Sequence, residues 1–126
     1  MKASELARAC LQAYVDKERR AAEALIADDF HFTSPLDNAL DRATYFERCW
    51  PNSASMRAVT VVQSVDVGES AFIVYEAGTD KKRVRNCELH TARDGKLAAV
   101  EVYFGWDLPH PAKSGGFVVE DGGGQA

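Results

Sequence analysis

Two residues with acid–base side chains, Glu88 and His90, lie two positions apart in a β-rich stretch of the sequence. In an extended strand, residues at this spacing share one face, and their Cα atoms lie about 6 to 7 Å apart. A carboxyl group and an imidazole at that separation can hold a water molecule or a substrate and exchange protons with it. The pair therefore predicts an acid–base site if the strand faces a pocket, or two polar surface groups if it faces outward.

A metal site at the same pair would need a further ligand. His31 is on another strand, where the alternation of side chains places it opposite to Phe32 and Ser34. We therefore expect no metal at Glu88 and His90, and chemistry that uses no cofactor.

Three helices are predicted in the first half of the chain. Ser4 is a plausible cap for the first helix, whose apolar side chains recur at helical spacing up to Tyr14. Asp16 is a plausible cap for a second helix that ends near Ala27. Asp41 begins a third helix with an apolar stripe, and the proline that follows Trp50 ends it.

The strands are predicted from runs rich in β-branched and aromatic residues. A short first strand covers 28–35, and the Pro-Leu-Asp-Asn segment after it, with Asp37, predicts a turn. Three longer β-rich segments cover 56–67, 70–79 and 83–104, and Asp94-Gly95 supplies a hairpin turn inside the last of these. The order of elements predicts an α+β fold, with helices on one face of an antiparallel meander.

The composition restricts the partners and the compartment. The 126 residues are 46% hydrophobic and carry a net charge of −4 without a basic stripe, which argues against nucleic-acid binding. The apolar runs are shorter than the about 20 residues that a membrane-spanning helix needs. The first residues lack the apolar segment of a secretory signal. We expect a cytoplasmic protein that binds neither nucleic acid nor membrane.

The three cysteines predict neither a disulfide framework nor a zinc site. Cys10, Cys49 and Cys87 lie far apart and form no Cys-x-x-Cys pattern, so we expect free thiols.

Residues 1–110 are expected to form a single domain. Residues 111–126 are rich in glycine and are expected to form a flexible tail.

Four local strings, in this order, resemble a known family. They are Ala-Asp-Asp-Phe at 27–30, Thr-Ser-Pro at 33–35, Asp-Gly-Lys-Leu at 94–97 and Glu-Val-Tyr-Phe-Gly-Trp at 101–106. The chain is similar to the SnoaL-like branch of the nuclear transport factor 2-like superfamily, which includes ketosteroid isomerase, limonene epoxide hydrolase and polyketide cyclases. The resemblance implies a cone, in which a curved antiparallel sheet wraps around three N-terminal helices and encloses a mostly apolar pocket.

The resemblance also implies which side chains line that pocket. The last strand would direct Val100, Val102 and Phe104 inward. A glycine bulge in a three-residue hairpin loop would direct Asn86, Glu88 and His90 inward as well, whereas a tight two-residue turn would direct them outward. We favour the bulged hairpin. Phe32 and Ser34 on the first strand belong to the predicted ligand-binding residues. Tyr75 completes the set, because it falls on the face that pairs with Glu88 if Lys81-Lys82 makes the intervening turn.

The roles carried over from the family are incomplete in this chain. Glu88 resembles the acid of ketosteroid isomerase that donates to an oxyanion, and Tyr14 resembles its tyrosine partner. Ser34 stands where that enzyme has its general base, and Val102 stands where a hydrolase relative has a catalytic aspartate. Two hypotheses stay open: a small-molecule isomerase, cyclase or dehydratase with His90 as base and neutral Glu88 as donor, or a binding module without chemistry. In both hypotheses the partner is a small apolar molecule.

The outer face of the predicted sheet suggests a second copy of the chain as a partner. On the favoured register this face presents Ala99, Glu101 and Tyr103, with Cys87 and Leu89 from the neighbouring strand. Apolar and aromatic side chains with few charges are typical of a buried interface. We therefore predict a two-fold homodimer through this face.

Overall fold

The computed structural model describes residues 1–119. Its helices are α1 (Ala3–Asp16), α2 (Arg19–Leu25) and α3 (Arg42–Cys49), and α3 continues into a short 3₁₀ helix (Trp50–Ala54). Within these residues, no helix is long and apolar enough to cross a membrane.

Only one of the three predicted helix caps is correct. The Asp41 side chain accepts a hydrogen bond of 2.9 Å from the Thr44 amide and caps α3. Ser4 lies inside α1 and donates its hydroxyl to Asp66 at 2.6 Å, so it joins the helix to the sheet. The cap of α2 is Glu18, and the predicted cap, Asp16, belongs to the last turn of α1.

Within residues 1–119, six strands form one mixed sheet. They are β1 (Ile26–Ser34), β2 (Asp37–Asp41), β3 (Met56–Val67), β4 (Ser70–Thr79), β5 (Arg83–Arg93) and β6 (Lys96–Leu108), in the spatial order β2-β1-β6-β5-β4-β3. The α+β prediction is confirmed, but β1 pairs with β6 in parallel, so the sheet is not wholly antiparallel. β2 begins inside the Pro-Leu-Asp-Asn segment that was predicted as a turn, and its sequence Asp-Asn-Ala-Leu-Asp lacks the apolar alternation of a half-buried strand.

The helices cover one face of the sheet and form the core with it. Leu6 of α1, Ile26 and Phe30 of β1, Phe46 of α3 and Leu97 of β6 belong to one buried cluster. Burial of each such side chain contributes about 1.5 to 3 kcal/mol. This cluster holds the helices against the inner face of the sheet.

The hairpin between β5 and β6 differs in detail from the prediction. Arg93 pairs with Lys96 across a tight two-residue turn, in which Asp94 and Gly95 both have positive φ, +53° and +78°. The expected bulge lies in β6 and not in the loop, because the pairing steps past Ala98. This extra residue in β6 gives β5 and β6 the same pairing register that the predicted bulge in the loop would have given.

A second irregularity lies near the end of β6, at Gly105. Asn86 pairs with Phe104 and Arg85 with Trp106, so Gly105 is also an extra residue. A Cβ atom at this position would lie 2.0 Å from the carbonyl oxygen of Arg85. Only glycine fits this bulge without a shift of the backbone.

The chain after β6 forms no helix or strand between residues 109 and 119. Residues 120–126 of the predicted tail lie outside the described residues. The proposed boundary at residue 110 and the flexibility of the tail stay predictions.

The first testable consequence concerns Gly105. Gly105→Ala is expected to lower the free energy of unfolding by at least about 2 kcal/mol, because the added methyl group collides with a backbone carbonyl. Gly78→Ala is the matched control, since its Cβ would meet the Arg83 side chain at an ordinary 3.5 Å, and its effect should stay within about 1 kcal/mol. Urea unfolding measures both. Equal stability of the two variants would contradict the close approach of Gly105 to the Arg85 carbonyl at the bulge.

Candidate functional site

A cavity of about 200 Å³ lies between α1, α3 and the inner face of the sheet. Its walls are mostly apolar and aromatic, and Ile26, Phe30 and Leu97 are its most deeply buried side chains. A concave, largely apolar cavity with a few polar groups is typical of a small-molecule site.

Three polar side chains form a hydrogen-bonded row on the sheet wall of this cavity. Tyr75 donates its hydroxyl to Oε2 of Glu88 at 2.5 Å, and Nε2 of His90 lies 2.7 Å from Oε1 of the same carboxylate. Glu88 is 8% exposed and His90 is 2% exposed. Because both carboxylate oxygens are engaged by protein groups, Glu88 is arranged to orient and polarise His90. The predicted role of Glu88, donation to a ligand, does not fit this geometry.

His90 has one ring nitrogen without a partner. Its Nδ1 is buried and makes no hydrogen bond to any described residue. When Nε2 carries the hydrogen that Glu88 accepts, Nδ1 holds a free lone pair. A carboxylate that fixes the tautomer of an imidazole in this way leaves the second nitrogen able to take a proton.

The row continues to the bulge in β6 through Asn86. The Gly105 amide donates to Oδ1 of Asn86 at 3.1 Å, and this bond fixes the orientation of the side-chain amide. The amide nitrogen of Asn86 is therefore directed to the Tyr75 hydroxyl, at a long 3.5 Å. Tyr75 can accept from Asn86 while it donates to Glu88, so the bulge supports the orientation of the whole row.

The helical wall of the cavity carries a second polar pair. Tyr14 on α1 donates its hydroxyl to the Tyr45 hydroxyl on α3 at 2.7 Å. Because the Tyr45 oxygen accepts this bond, the hydrogen of the Tyr45 hydroxyl is not used in it. Burial raises the pKa of both phenols above the ordinary tyrosine value, and burial raises the pKa of the Cys10 thiol to about 12 and that of Cys49 to about 11. These groups are uncharged at neutral pH.

Most of the predicted site residues line the cavity. Those that do are Tyr14, Phe32, Tyr75, Asn86, Glu88, His90, Val100, Val102 and Phe104. Ser34 does not, and this prediction is wrong. Its Oγ donates to Asp37 at 2.8 Å and accepts from the Leu36 amide at 3.0 Å, inside the tight connection between β1 and β2.

Several lining residues were absent from the predicted set. They are Cys10, Leu11, Ile26, Phe30, Tyr45, Cys49, Asn52, Met56 and Leu97. Tyr45 lies in the apolar stripe of the predicted third helix, where the sequence gives it no separate role. The Tyr45 hydroxyl could have indicated its pairing with Tyr14. A buried tyrosine needs a polar partner, and Tyr14 also lies on an apolar helix face.

No group of three or more potential metal-binding side chains is assembled in residues 1–119. Cys87, which alternates with Glu88 along β5, lies outside the cavity lining.

Structural comparison identifies the architecture. The fold is similar to that of a nuclear transport factor 2-like protein of unknown function from Cytophaga hutchinsonii, with a TM-score of 0.70 and 16% identity, over 83% of this chain and 91% of that one. The chain has the nuclear transport factor 2-like fold. The resemblance in fold that the sequence predicted is confirmed.

Two further structures with the nuclear transport factor 2-like fold carry more specific descriptions. One is an LEH-like epoxide hydrolase of M. tuberculosis, with a TM-score of 0.65, 14% identity and 80% of each chain covered. The other is a hypothetical protein with a ketosteroid isomerase-like fold from Catenulispora acidiphila, in complex with trimethylamine, with a TM-score of 0.63, 16% identity and coverage of 79% and 85%. No family model and no curated protein matches the chain. Identities this low show the shared fold alone.

The buried tyrosines have a measurable consequence for alkaline stability. Burial raises the pKa of Tyr14, Tyr45 and Tyr75, and the charge of Glu88 raises that of Tyr75 further. In the unfolded chain these phenols ionise at about pH 10. Their contribution to the free energy of unfolding should therefore be fully present below about pH 10 and decrease above it, since only the unfolded state then releases protons.

Tyrosinate absorbance and circular dichroism, recorded together during an alkaline titration, measure this effect. Tyr103 is exposed in the single chain, and its hydrogen bond to Glu101 raises its pKa; it is still expected to ionise before the three buried phenols, which ionise only as the fold is lost. Ionisation of more than one tyrosine in the folded protein would contradict the buried hydrogen bonds.

Proposed function

We propose that the protein binds a small, largely apolar molecule in its cavity and moves a proton on it without a cofactor, as an isomerase, cyclase or dehydratase. The observation that carries the proposal is the buried Glu88–His90 pair, whose Nδ1 has no protein partner, on the wall of an apolar cavity. A small molecule with an acidic C–H or O–H group is a suitable partner for this nitrogen.

The proposed reaction uses His90 as the general base. Nδ1 of His90 takes a proton from the ligand, and the ionised Glu88 stabilises the resulting imidazolium through Nε2. The imidazolium then returns the proton to another atom of the ligand, which isomerises or cyclises it, or to a hydroxyl group that leaves as water. The apolar walls exclude bulk water, which strengthens these electrostatic interactions.

The Tyr45 hydroxyl is the proposed donor to negative charge that develops on the ligand. It accepts from Tyr14, so its own hydrogen is available, and both phenols are uncharged at neutral pH. Tyr14 then acts through Tyr45, since its hydrogen is already used in the bond between them. A phenol that receives a hydrogen bond is a stronger donor than an isolated one.

A binding module without chemistry is the second candidate. It is favoured by Ser34 and Val102, which stand where the resemblance to isomerases and hydrolases would place carboxylates. Such a module would be stabilised by its ligand and release it unchanged. Both candidates use the same cavity, so chemical conversion of the ligand is what separates them.

Single amide substitutions test the catalytic proposal. Once screening has provided a substrate, Glu88→Gln and His90→Gln should each lower turnover by at least about a hundredfold, because each removes one part of the general base. Glu69→Gln is the matched control, since Glu69 is exposed in the turn between β3 and β4, and it should retain full turnover. Unchanged turnover in both cavity variants would exclude the proposed base. A stabilising ligand recovered unaltered would favour the binding module.

We also propose a homodimer through the outer face of the sheet. Val65, Phe72 and Tyr103 lie on this face and are 52%, 41% and 52% exposed. They are joined by Leu89 and Cys87 of β5, which pair with β6 beside Glu101 and Tyr103. An apolar patch of this kind is typical of a surface that a second copy covers.

Tyr103→Glu tests the dimer, because it would bury an unpaired charge in the proposed interface. The variant should sediment as a monomer at about 10 to 100 μM, a range in which the unmutated protein should sediment as a dimer. Phe117→Glu makes the same change at an exposed position beyond β6 and should leave the dimer intact. A monomeric unmutated protein would disprove the proposal.

A further inference from the structure

The cavity contains a negative charge without a fixed positive partner. Among its described lining residues, Glu88 is the one carboxylate, and there is no lysine or arginine. The phenols and thiols of the lining are uncharged at neutral pH. His90 is therefore the one side chain of the lining that could balance the charge of Glu88.

His90 is poorly placed to provide that balance. A protonated imidazole would carry a hydrogen on Nδ1, which is buried and has no acceptor among the described residues. A buried charged donor without a partner costs more than an unpaired lone pair. The geometry therefore favours a hydrogen bond in which Nε2 of His90 donates to the Glu88 carboxylate.

Two basic side chains at the ends of the helices that line the cavity are engaged elsewhere. The Lys17 ammonium donates to the carbonyl oxygens of Ser53 and Met56 at 2.8 and 3.0 Å. Arg48 pairs with Asp37 outside the lining. Neither cation is directed to Glu88.

The rest of the lining is suited to a cation that carries apolar groups. Six of the lining residues are aromatic: Tyr14, Phe30, Phe32, Tyr45, Tyr75 and Phe104. Aromatic rings attract ammonium groups by about 0.5 to 2 kcal/mol each, and most strongly in desolvated sites. An anionic ligand would meet the carboxylate with no compensating charge.

We infer that the ligand of the cavity is a small hydrophobic cation, an alkyl- or aryl-substituted ammonium, whose charge is balanced by Glu88 and whose carbon atoms contact the aromatic walls. The inference rests on the proposed function in placing the ligand in the same cavity. A cavity of about 150 Å³ in another protein holds benzene, so about 200 Å³ admits a molecule only slightly larger.

Three probes of similar shape and different charge test the inference. They are choline, its neutral isostere in which a tert-butyl group replaces the trimethylammonium group, and the anion pivalate. Dissociation constants are measured from chemical-shift changes of the Val100 and Val102 methyl groups, which line the cavity. Choline should bind at least about tenfold more tightly than the neutral isostere, and pivalate should bind most weakly.

Two variants identify the source of the preference. Glu88→Gln should abolish the difference between choline and the neutral isostere, whereas the surface control Glu69→Gln should retain it. Phe104→Leu provides a second variant if Glu88→Gln fails to fold, because Phe104 is 54% exposed at the edge of the cavity. Loss of this ring should weaken choline more than the neutral isostere.

The possible results separate this inference from the proposed function. Equal or tighter binding of the neutral isostere would overturn the inference, and so would a preference for choline that persists in Glu88→Gln, or no binding of any probe. None of these results changes the turnover measurements on Glu88→Gln and His90→Gln. Those measurements test proton transfer with whichever substrate is found.

Discussion

The pairing of β5 with β6 is the constraint on which the cavity depends. Without the extra residue at Ala98, every side chain of β5 would change face relative to the inward side chains of β6, and Glu88 would lie on the outer surface. The bulge at Gly105 then fixes Asn86 at the other end of the same pairing. Two inserted residues in one strand thus determine both which side chains enter the cavity and how the innermost of them are oriented.

The burial of Glu88 is costly for stability, and its neighbours reduce that cost. Removal of a carboxylate from water is opposed by several kcal/mol even after relaxation of the surrounding protein. Hydrogen bonds from Tyr75 and His90 offset part of this, but an apolar side chain would fill the position at lower cost. A core selected for stability alone has no need of such a group, which supports the proposed interaction with a ligand.

The sequence was sufficient to predict helices and strands whose apolar residues recur with a clear period, and a turn whose residue types are specific. The helical stripes, the β-rich segments and the Asp94-Gly95 turn correctly predicted the α+β fold and the position of its main hairpin. The inward position of Glu88 depended on a bulge, which leaves no mark in the period of β6 and was inferred only by resemblance. β2 and its pairing were missed because a short polar edge strand is stabilised by its neighbours and not by its own composition. Tyr45 was missed because a tyrosine in an apolar stripe fits a core equally well.

The connection between β1 and β2 explains why the proposed chemistry is centred on β5. Ser34, which stands where the resemblance to ketosteroid isomerase would place a base, is bonded to Asp37, and Asp37 pairs with Arg48 on α3. This connection ties the edge of the sheet to the helix that carries Tyr45. Ser34 is therefore part of the contacts that support the helical wall. An acceptor for a ligand proton must then come from another element, and β5 is the element that presents an unpaired nitrogen, Nδ1 of His90, on the opposite wall of the same cavity.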